Sequence, residues 1–312
     1  MSAAPGTAGS VGPVVPGGPS GADGSGAAGR GRRQLMIWLV PPLLWFTVFM
    51  LIPYCMLFYY SLGSTEYMTF KPGFSLANLG RVFCEEPYLS VLLKSARIGA
   101  FTAIGATILA YPVAFCLAFH TRSARAKLLI YLLVIVPWWA AYLVKAYAWK
   151  TILGTNGIIN ALLLELHLIH EPLTLILYNQ FSVILTLIYI FTPFSILSIY
   201  AQLERIPTSI VEASSNLGAT TFETLTKIII PLSLPGVLAG AIITFALATG
   251  DFIAPALVGG PDAVMISNVV INLLGVAFDW PMAASIGIVV IGVGTALISV
   301  SQYLEHRAQA RF

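Results

Sequence analysis

An all-helical membrane protein with six spanning helices is the fold class this sequence predicts, and three observations predict it. Of its 312 residues 58% are apolar and only 9% charged, with a mean hydropathy of +0.87, where a soluble domain carries about a quarter charged residues. Six segments are long and apolar enough to cross a bilayer, which takes about 20 residues. The basic residues also fall on alternate connections, the pattern that orients such helices. One core of this size cannot bury so much apolar surface while leaving so little charge for water. A soluble enzyme, a disordered chain and a collagen-like chain are therefore excluded. A net charge of +3 gives no footing for nucleic acid. Cys55, Cys84 and Cys116 share no motif spacing and indicate neither a disulfide framework nor a zinc site.

Residues 1–34 read as a cytoplasmic tail ending in a basic anchor. Its first 29 residues hold 9 Gly, 6 Ala, 4 Pro and 4 Ser, a composition that cannot offset its ordering entropy by burial and is expected to be disordered. Gly24-Ser-Gly26-Ala-Ala-Gly29 is formally a dinucleotide fingerprint, but no strand pattern precedes it. Arg30, Arg32 and Arg33 then precede an apolar run too long for a signal peptide and without a small-residue cleavage site, so they read as anchors of a first span.

The expected spans are 35–62, 89–119, 128–152, 181–202, 231–257 and 283–304, with 305–312 as a cytoplasmic C-terminus. Residues 157–178 are interrupted by Glu165, His167, His170, Glu171 and Pro172. Residues 263–278 are short and carry Asn268 and Asn272. Both read as interfacial or re-entrant helices; a seventh span at 157–178 is the competing count. With the N-terminus inside, the cytoplasmic segments hold Arg30, Arg32, Arg33, Arg122, Arg125, Lys127, Arg205, Lys227, Arg307 and Arg311, while the external loops hold only Lys71 and Arg81. Both termini are thus expected in the cytoplasm, and a seventh span would reverse everything after it.

The connection 203–230 between spans four and five is the most informative. Pro207-Thr208-Ser209 with Glu212 predicts a capping box, Gly218 a left-handed helix end, and Thr220 or Thr221 the cap of a second helix running to Pro231. The segment reads as a cytoplasmic helix–turn–helix hairpin.

Glu212-Ala213-Ser214, then Gly218, then Ile228-Ile229-Ile230-Pro231 resembles the EAA loop of importer-type ABC permeases, E-A-A-x3-G-x9-I-x-L-P, departing at Ser214 and Ile230. Pro137-Trp138-Trp139, the run Tyr142 to Trp149, and Asn156-Gly157-Ile158-Ile159-Asn160 resemble the third span of the spermidine/putrescine permeases, with Lys145 where Arg is expected. Pro231 to Val237, Gly250-Asp251-Phe252 and Phe278-Asp279-Trp280-Pro281 resemble the fifth span, outer loop and sixth span of that group. The resemblance covers about 35–304. It implies a type I importer permease fold whose loop couples, through Glu212, Ala213, Ser214, Gly218 and Pro231, to a separate ATPase.

No G-x-x-x-x-G-K-[ST] occurs, so this chain has no phosphate-cradling loop of its own. It is expected to be a transport subunit rather than an enzyme. No cofactor is expected on it; ATP and Mg²⁺ belong to the partner ATPase. The implied partners are a second, related permease, two ATPase subunits, an external substrate-binding protein and the bilayer. A homodimer stays open, as do thiamine, sulfate, phosphonate or ferric ion as cargo and an ion-coupled transporter as mechanism. An intramembrane enzyme has no support, since neither H-E-x-x-H nor G-x-S-x-G appears.

Intramembrane charge is costly and points to function. Asp251 lies 20 residues beyond Pro231 and Lys145 18 beyond Lys127, placing both about 27–30 Å from the inner surface and within reach of pairing. A path for a cationic amine bordered by Asp251, Trp138, Trp139, Tyr142 and Tyr147 follows from carboxylate attraction and cation–π contact. The alternative is that the aromatics anchor and pack while the lysines snorkel. Lys94, Arg97, Lys145 and Lys150 sit awkwardly beside a cation path. Gly236 and Gly240 form a G-x-x-x-G expected to pack within the subunit rather than at a dimer seam. Pro112, Pro137, Pro193 and Pro255 are expected to break helices, and His167 and His170 to face water.

Overall fold

The computed structural model describes residues 24–121, 123–173 and 178–309. Its elements are α1 (Gly24–Ser61), a hairpin of β1 (Ser64–Glu66) and β2 (Thr69–Lys71), α2 (Ala77–Cys84), α3 (Glu86–Phe115), α4 (Ala124–Trp139), α5 (Tyr142–Leu153), α6 (Ile158–Glu165), α7 (Gln180–Leu203), α8 (Thr208–Asn216), α9 (Thr221–Thr224), α10 (Ile230–Gly250), α11 (Ile266–Gly275) and α12 (Trp280–Gln309). Single π turns extend α3 over Cys116–His120, join α9 to α10 over Leu225–Ile229, and follow α10 at Pro255–Gly259. The chain divides into two compact units, Met1–Cys55 and Met56–Phe312. The first is the greater part of α1, an apolar helix containing Pro41, Pro42 and Pro53.

Among the described residues five stretches are long and apolar enough to cross a bilayer: Met36–Ser61, Glu86–His120, Gln180–Leu203, Thr221–Gly250 and Trp280–Val300. A sixth crossing exists only if the bent pair formed by α4 and the α5–α6 run counts as one, because the two halves meet at 90°. The continuous third span expected over 128–152 is therefore corrected. Pro137 loosens the last turn of α4, and Ala140 and Ala141 are extended, with ψ of 137° and 135°. Span five likewise stops at Gly250 rather than 257, because Asp251 is extended and caps the turn that follows. At the other terminus, residues 24–34 are not tail but the first turns of α1, as extending an apolar helix is far easier than nucleating one. Residues 1–23, Arg122 and Arg311 lie outside the described residues. A seventh crossing at 157–178 is also removed: α6 has only eight residues, about 12 Å.

The second unit is built on α3, α7 and α10, which pack pairwise. Small buried residues recur every three or four positions on α3 (Ser95, Gly99, Thr102, Ala106, Ala110, Ala114) and on α10 (Ser233, Gly236, Gly240, Thr244, Ala248). In lipid, where neighbouring chains are as apolar as leucine, such stripes let backbones approach closely. A Cβ at Gly236 would stand 2.9 Å from the Ser198 carbonyl oxygen, and one at Gly240 3.1 Å from Ser195 Cα. The G-x-x-x-G is thus a seam with α7 inside the subunit. Ser195 and Thr244 hydroxyls, 2.8 Å apart, close it. Large residues pack at the two ends of this trio. Leu203, Ile206 and Ile229 gather near α8 and α9, while Ile98, Leu187, Val258 and Met265 gather at the far end. There α2, α11 and α12 add a second cluster around Val82, Ile266 and Met282.

Candidate functional site

At one end of the core stands the hairpin α8–α9. Pro207 precedes α8 with φ of −64° and ψ of 135°, and no side chain caps that helix. The expected Ser209–Glu212 capping box is absent because the helix starts two residues early, with Pro207 in the cap position. Ser209 is already its second residue, and Glu212 is exposed, without a side-chain hydrogen bond among the described residues. The exit follows its local signals. Gly218 has φ of +83°, its amide donates to the Ser215 carbonyl at 3.0 Å, and the Ala219 amide donates to Ser214 at 3.2 Å. This is a Schellman motif, with glycine required by its conformation rather than by crowding. Thr220 then caps α9. Its hydroxyl accepts from the Glu223 amide at 3.3 Å, and Glu223 accepts from the Thr220 amide at 3.0 Å.

Ser214, the residue that departs from the E-A-A pattern, is buried and hydrogen-bonds Thr224 across the hairpin at 2.8 Å. Ala213 is exposed beside it. Pro231 has no amide to donate, and the wide turn Leu225–Ile229 immediately before it accommodates both that gap and the ring. Val211 and Leu225 pack on the Leu203–Ile206–Ile229 cluster, so the hairpin is seated on the core. Its outer surface presents Leu217, 88% exposed, and Phe222, 72% exposed. Beside it Lys127 bonds Glu204 at 2.7 Å, and Tyr200 donates to the same carboxylate at 2.8 Å. Lys127 first, then the Tyr200 hydroxyl, holds the Glu204 carboxyl below its ordinary range.

At the far end the site centres on Asp251. One carboxylate oxygen accepts the Ala254 amide at 2.8 Å, and the other accepts the Tyr142 hydroxyl. Asp251 thus ends α10, starts the next turn and meets α5 at once. Ser267 donates to its carbonyl, and Asn268 donates to the Phe252 carbonyl at 2.9 Å. Beside Phe252 opens a hollow of about 490 Å³ lined by Pro255, Gly260, Asn268 and Asn272. Asn268 and Asn272 mark 263–278 as a poor span; their contribution to this mouth appears only once α11 is folded back against α10. Arg97 bonds Gln180 at 2.6 Å, and Gln180 reaches the Asp262 carbonyl at 3.2 Å, which ties α3 and α7 to the same loop.

Of the residues expected along a path, Tyr142 and Asp251 are hydrogen-bonded, and Trp138 and Lys145 line a different hollow together. The Lys145–Asp251 pair is absent: among the described residues the ion pairs are Lys71–Glu66, Arg81–Glu85, Lys127–Glu204 and Lys227–Glu223. The break at Ala140 puts Tyr142, three residues earlier on α5, against the carboxylate instead. Trp138 packs edge-on against Phe194 with centroids 5.5 Å apart. Trp139 is 81% exposed at the end of α4. Tyr147 and Lys150 line a separate hollow with Tyr178. The arrangement at Asp251 offers a preoriented carboxylate with an aromatic hydroxyl as its only side-chain partner among the described residues, in a wall that also includes Phe191.

The family of binding-protein-dependent transport system inner membrane components matches residues 32–310. The chain is 35% identical over 269 residues to the inner membrane ABC transporter permease protein YdcU of Escherichia coli, covering 82% of this chain and 84% of that one. It is 33% identical over 246 residues to the spermidine/putrescine transport system permease protein PotB of the same organism, covering 78% and 88%. Among solved structures, a bacterial alginate ABC transporter in complex with an alginate pentasaccharide-bound periplasmic protein superposes with a TM-score of 0.71 at 16% identity, covering 89% of this chain and 96% of that one.

Proposed function

This chain belongs to the binding-protein-dependent transport system inner membrane components and is a multi-pass permease subunit of an ABC importer; we propose that its cargo is a polyamine of the spermidine/putrescine class, delivered by an external binding protein. The observation that carries the cargo reading is Asp251. A fixed carboxylate at the mouth opposite the hairpin, partnered by a neutral hydroxyl and flanked by aromatic rings, suits an ammonium group, which attracts the charge and the ring faces together. The 33% identity to a protein named for spermidine/putrescine transport supports the same reading.

ATP and Mg²⁺ sit on two partner ATPase subunits, which bind the hairpins of two permease chains, this one and a related second. Ser214, Gly218 and Pro231 shape the hairpin, and its exposed Glu212, Ala213, Leu217 and Phe222 meet the ATPase surface. Both termini lie in the cytoplasm with the hairpin. Nucleotide-driven closure of the ATPases then favours one access state because its contacts with the hairpins differ from those of the other.

The test is uptake by the assembled importer in proteoliposomes. Labelled spermidine or putrescine should accumulate only with ATP and binding protein. Asp251→Asn should lower uptake at least tenfold, as expected if a charge-assisted bond of about 1.5–3 kcal/mol is lost. Uptake of thiamine, sulfate, a phosphonate or ferric ion instead would refute the cargo, and uptake without the ATPase would refute the mechanism.

A further inference from the structure

Lys150, in the last turn of α5, lines a hollow of about 590 Å³ together with Tyr147, Thr155, Asn156 and Tyr178. The hollow is separate from the Asp251 mouth but shares a wall with it. That wall is Tyr178, whose amide donates to the Val258 carbonyl at 2.9 Å, in the turn Pro255–Gly259 that follows Asp251. Among the described residues no hydrogen bond or ion pair engages the polar end of any of these five side chains, and no carboxylate lines the hollow. Lys71 and Arg81, the cations of the other outer connections, each already hold a carboxylate. Lys150 therefore stands with four neutral hydrogen-bonding groups around a space that has one positive charge and no negative one.

Two observations place this space in water rather than hydrocarbon. Its rim, residues 154–157, is clamped by Asn160, which is buried and donates to the Gly154 and Leu173 carbonyls at 3.1 and 3.2 Å while accepting the Leu173 amide at 2.9 Å. The stretch leading to Leu173 carries Glu165, His167, His170 and Glu171, all exposed, and ionisable side chains facing lipid are costly. Thr155 and Asn156 on the rim are exposed as well. The same clamp fixes the rim, so the groups around Lys150 are held in place before anything binds.

We infer that this hollow is the socket for a carboxylate side chain of the external binding protein, paired with the Lys150 ammonium and hydrogen-bonded by the hydroxyls and amide beside it. The inference rests on the proposed delivery of cargo at the Asp251 mouth: a protein seated over that mouth also covers a hollow that shares its wall. A charge-assisted bond at such a rim sets register and speeds encounter more than it adds raw affinity. It also gives Lys150 a purpose beside a path for cations, because its charge then serves the carrier and not the cargo.

The assembled importer in proteoliposomes tests this through the ATP hydrolysis that its binding protein stimulates, measured against binding-protein concentration. Lys150→Glu should raise the half-saturating concentration about tenfold at low salt, Lys150→Met should raise it less, and Lys150→Arg should leave it near wild type. The differences should shrink in about 0.5 M salt, and the rate at saturating binding protein should be unchanged. Lys71→Glu, at a cation already paired, should shift it far less than Lys150→Glu. A zero-length carbodiimide crosslink should join Lys150 to an Asp or Glu of the binding protein. A half-saturating concentration unmoved by Lys150→Glu, or moved equally by Lys71→Glu, would overturn the inference. So would a crosslink from Lys150 to a carboxylate of the second permease, or native mass spectrometry showing an anionic lipid held by wild type and lost in Lys150→Met. The readout is docking, so a different cargo changes which loaded form stimulates hydrolysis, whereas a wrong socket leaves the variants at the wild-type concentration.

Discussion

The hairpin and the Asp251 mouth sit at opposite ends of the same helices and are made in opposite ways. Almost every bond that shapes the hairpin joins residues a few positions apart: Ala219 to Ser214, Glu223 to Thr220, Ser214 to Thr224. The bonds that shape the mouth are long-range. Tyr142 reaches Asp251 across 109 positions, Ser95 accepts the Ile266 amide across 171, and Thr65 donates to Asp279 across 214. The hairpin, which on the proposed function docks on an ATPase, is built from contacts that are largely its own. The mouth, which on the proposed function changes between access states, is built from contacts between elements far apart in the chain.

The sharpest way to break this contrast is Gly218→Val. A β-branched side chain at φ of +83° is opposed by about 1–2 kcal/mol and should unmake the turn without disturbing the distant mouth. ATP-driven uptake should fall more than tenfold while membrane insertion and cargo-independent folding of the chain, read by protease protection, are unchanged. Uptake at wild-type level would remove the hairpin's role. Tyr142→Phe should come next. It strips Asp251 of its hydroxyl partner and should change the apparent KM for the amine several-fold while ATPase coupling is retained, measured as ATP hydrolysed per amine transported.

Ser214→Ala is expected to act locally and weakly. It removes the hydrogen bond to Thr224, about 1 kcal/mol, but Thr224 keeps its bond to the Thr220 carbonyl at 3.1 Å. A slightly lower unfolding midpoint with near-normal transport is the expected result. The smallest effect belongs to Lys127→Met. The pair with Glu204 is largely exposed, so its loss should lie within about 1 kcal/mol and shrink further in salt. Because the folded carboxyl titrates below its ordinary range, the pair's contribution is present above the usual glutamate pKa. It is lost as pH falls through the lowered value, so wild type and Lys127→Met should converge in stability under acid.

This division also explains what was legible in the amino-acid sequence. Gly218 as a left-handed helix end and Thr220 as a cap are readable because their partners lie within five residues. The apolar runs of α3, α7, α10 and α12 are readable because the bilayer imposes their length. The Ser209–Glu212 box was misread because two overlapping start signals compete there, and Pro207, with its fixed φ, sets the frame. The mouth was half legible. Asp251 and Tyr142 stand out as a charge and an aromatic in apolar surroundings, but which side chain Asp251 meets depends on a 90° elbow that no periodicity announces. Counting residues along a straight helix put Lys145 level with Asp251; the bend directs it to another hollow.

The uninterrupted course of α10 has a mechanical consequence. Its 21 residues, about 31 Å long, begin where the hairpin's last turn ends and stop at the carboxylate. Near its middle Gly236 and Gly240 press directly on α7. On the proposed coupling, a helix resting on a central pivot swings its tips in opposite directions, so a small tilt imposed at the hairpin would reach Asp251 as a counter-swing.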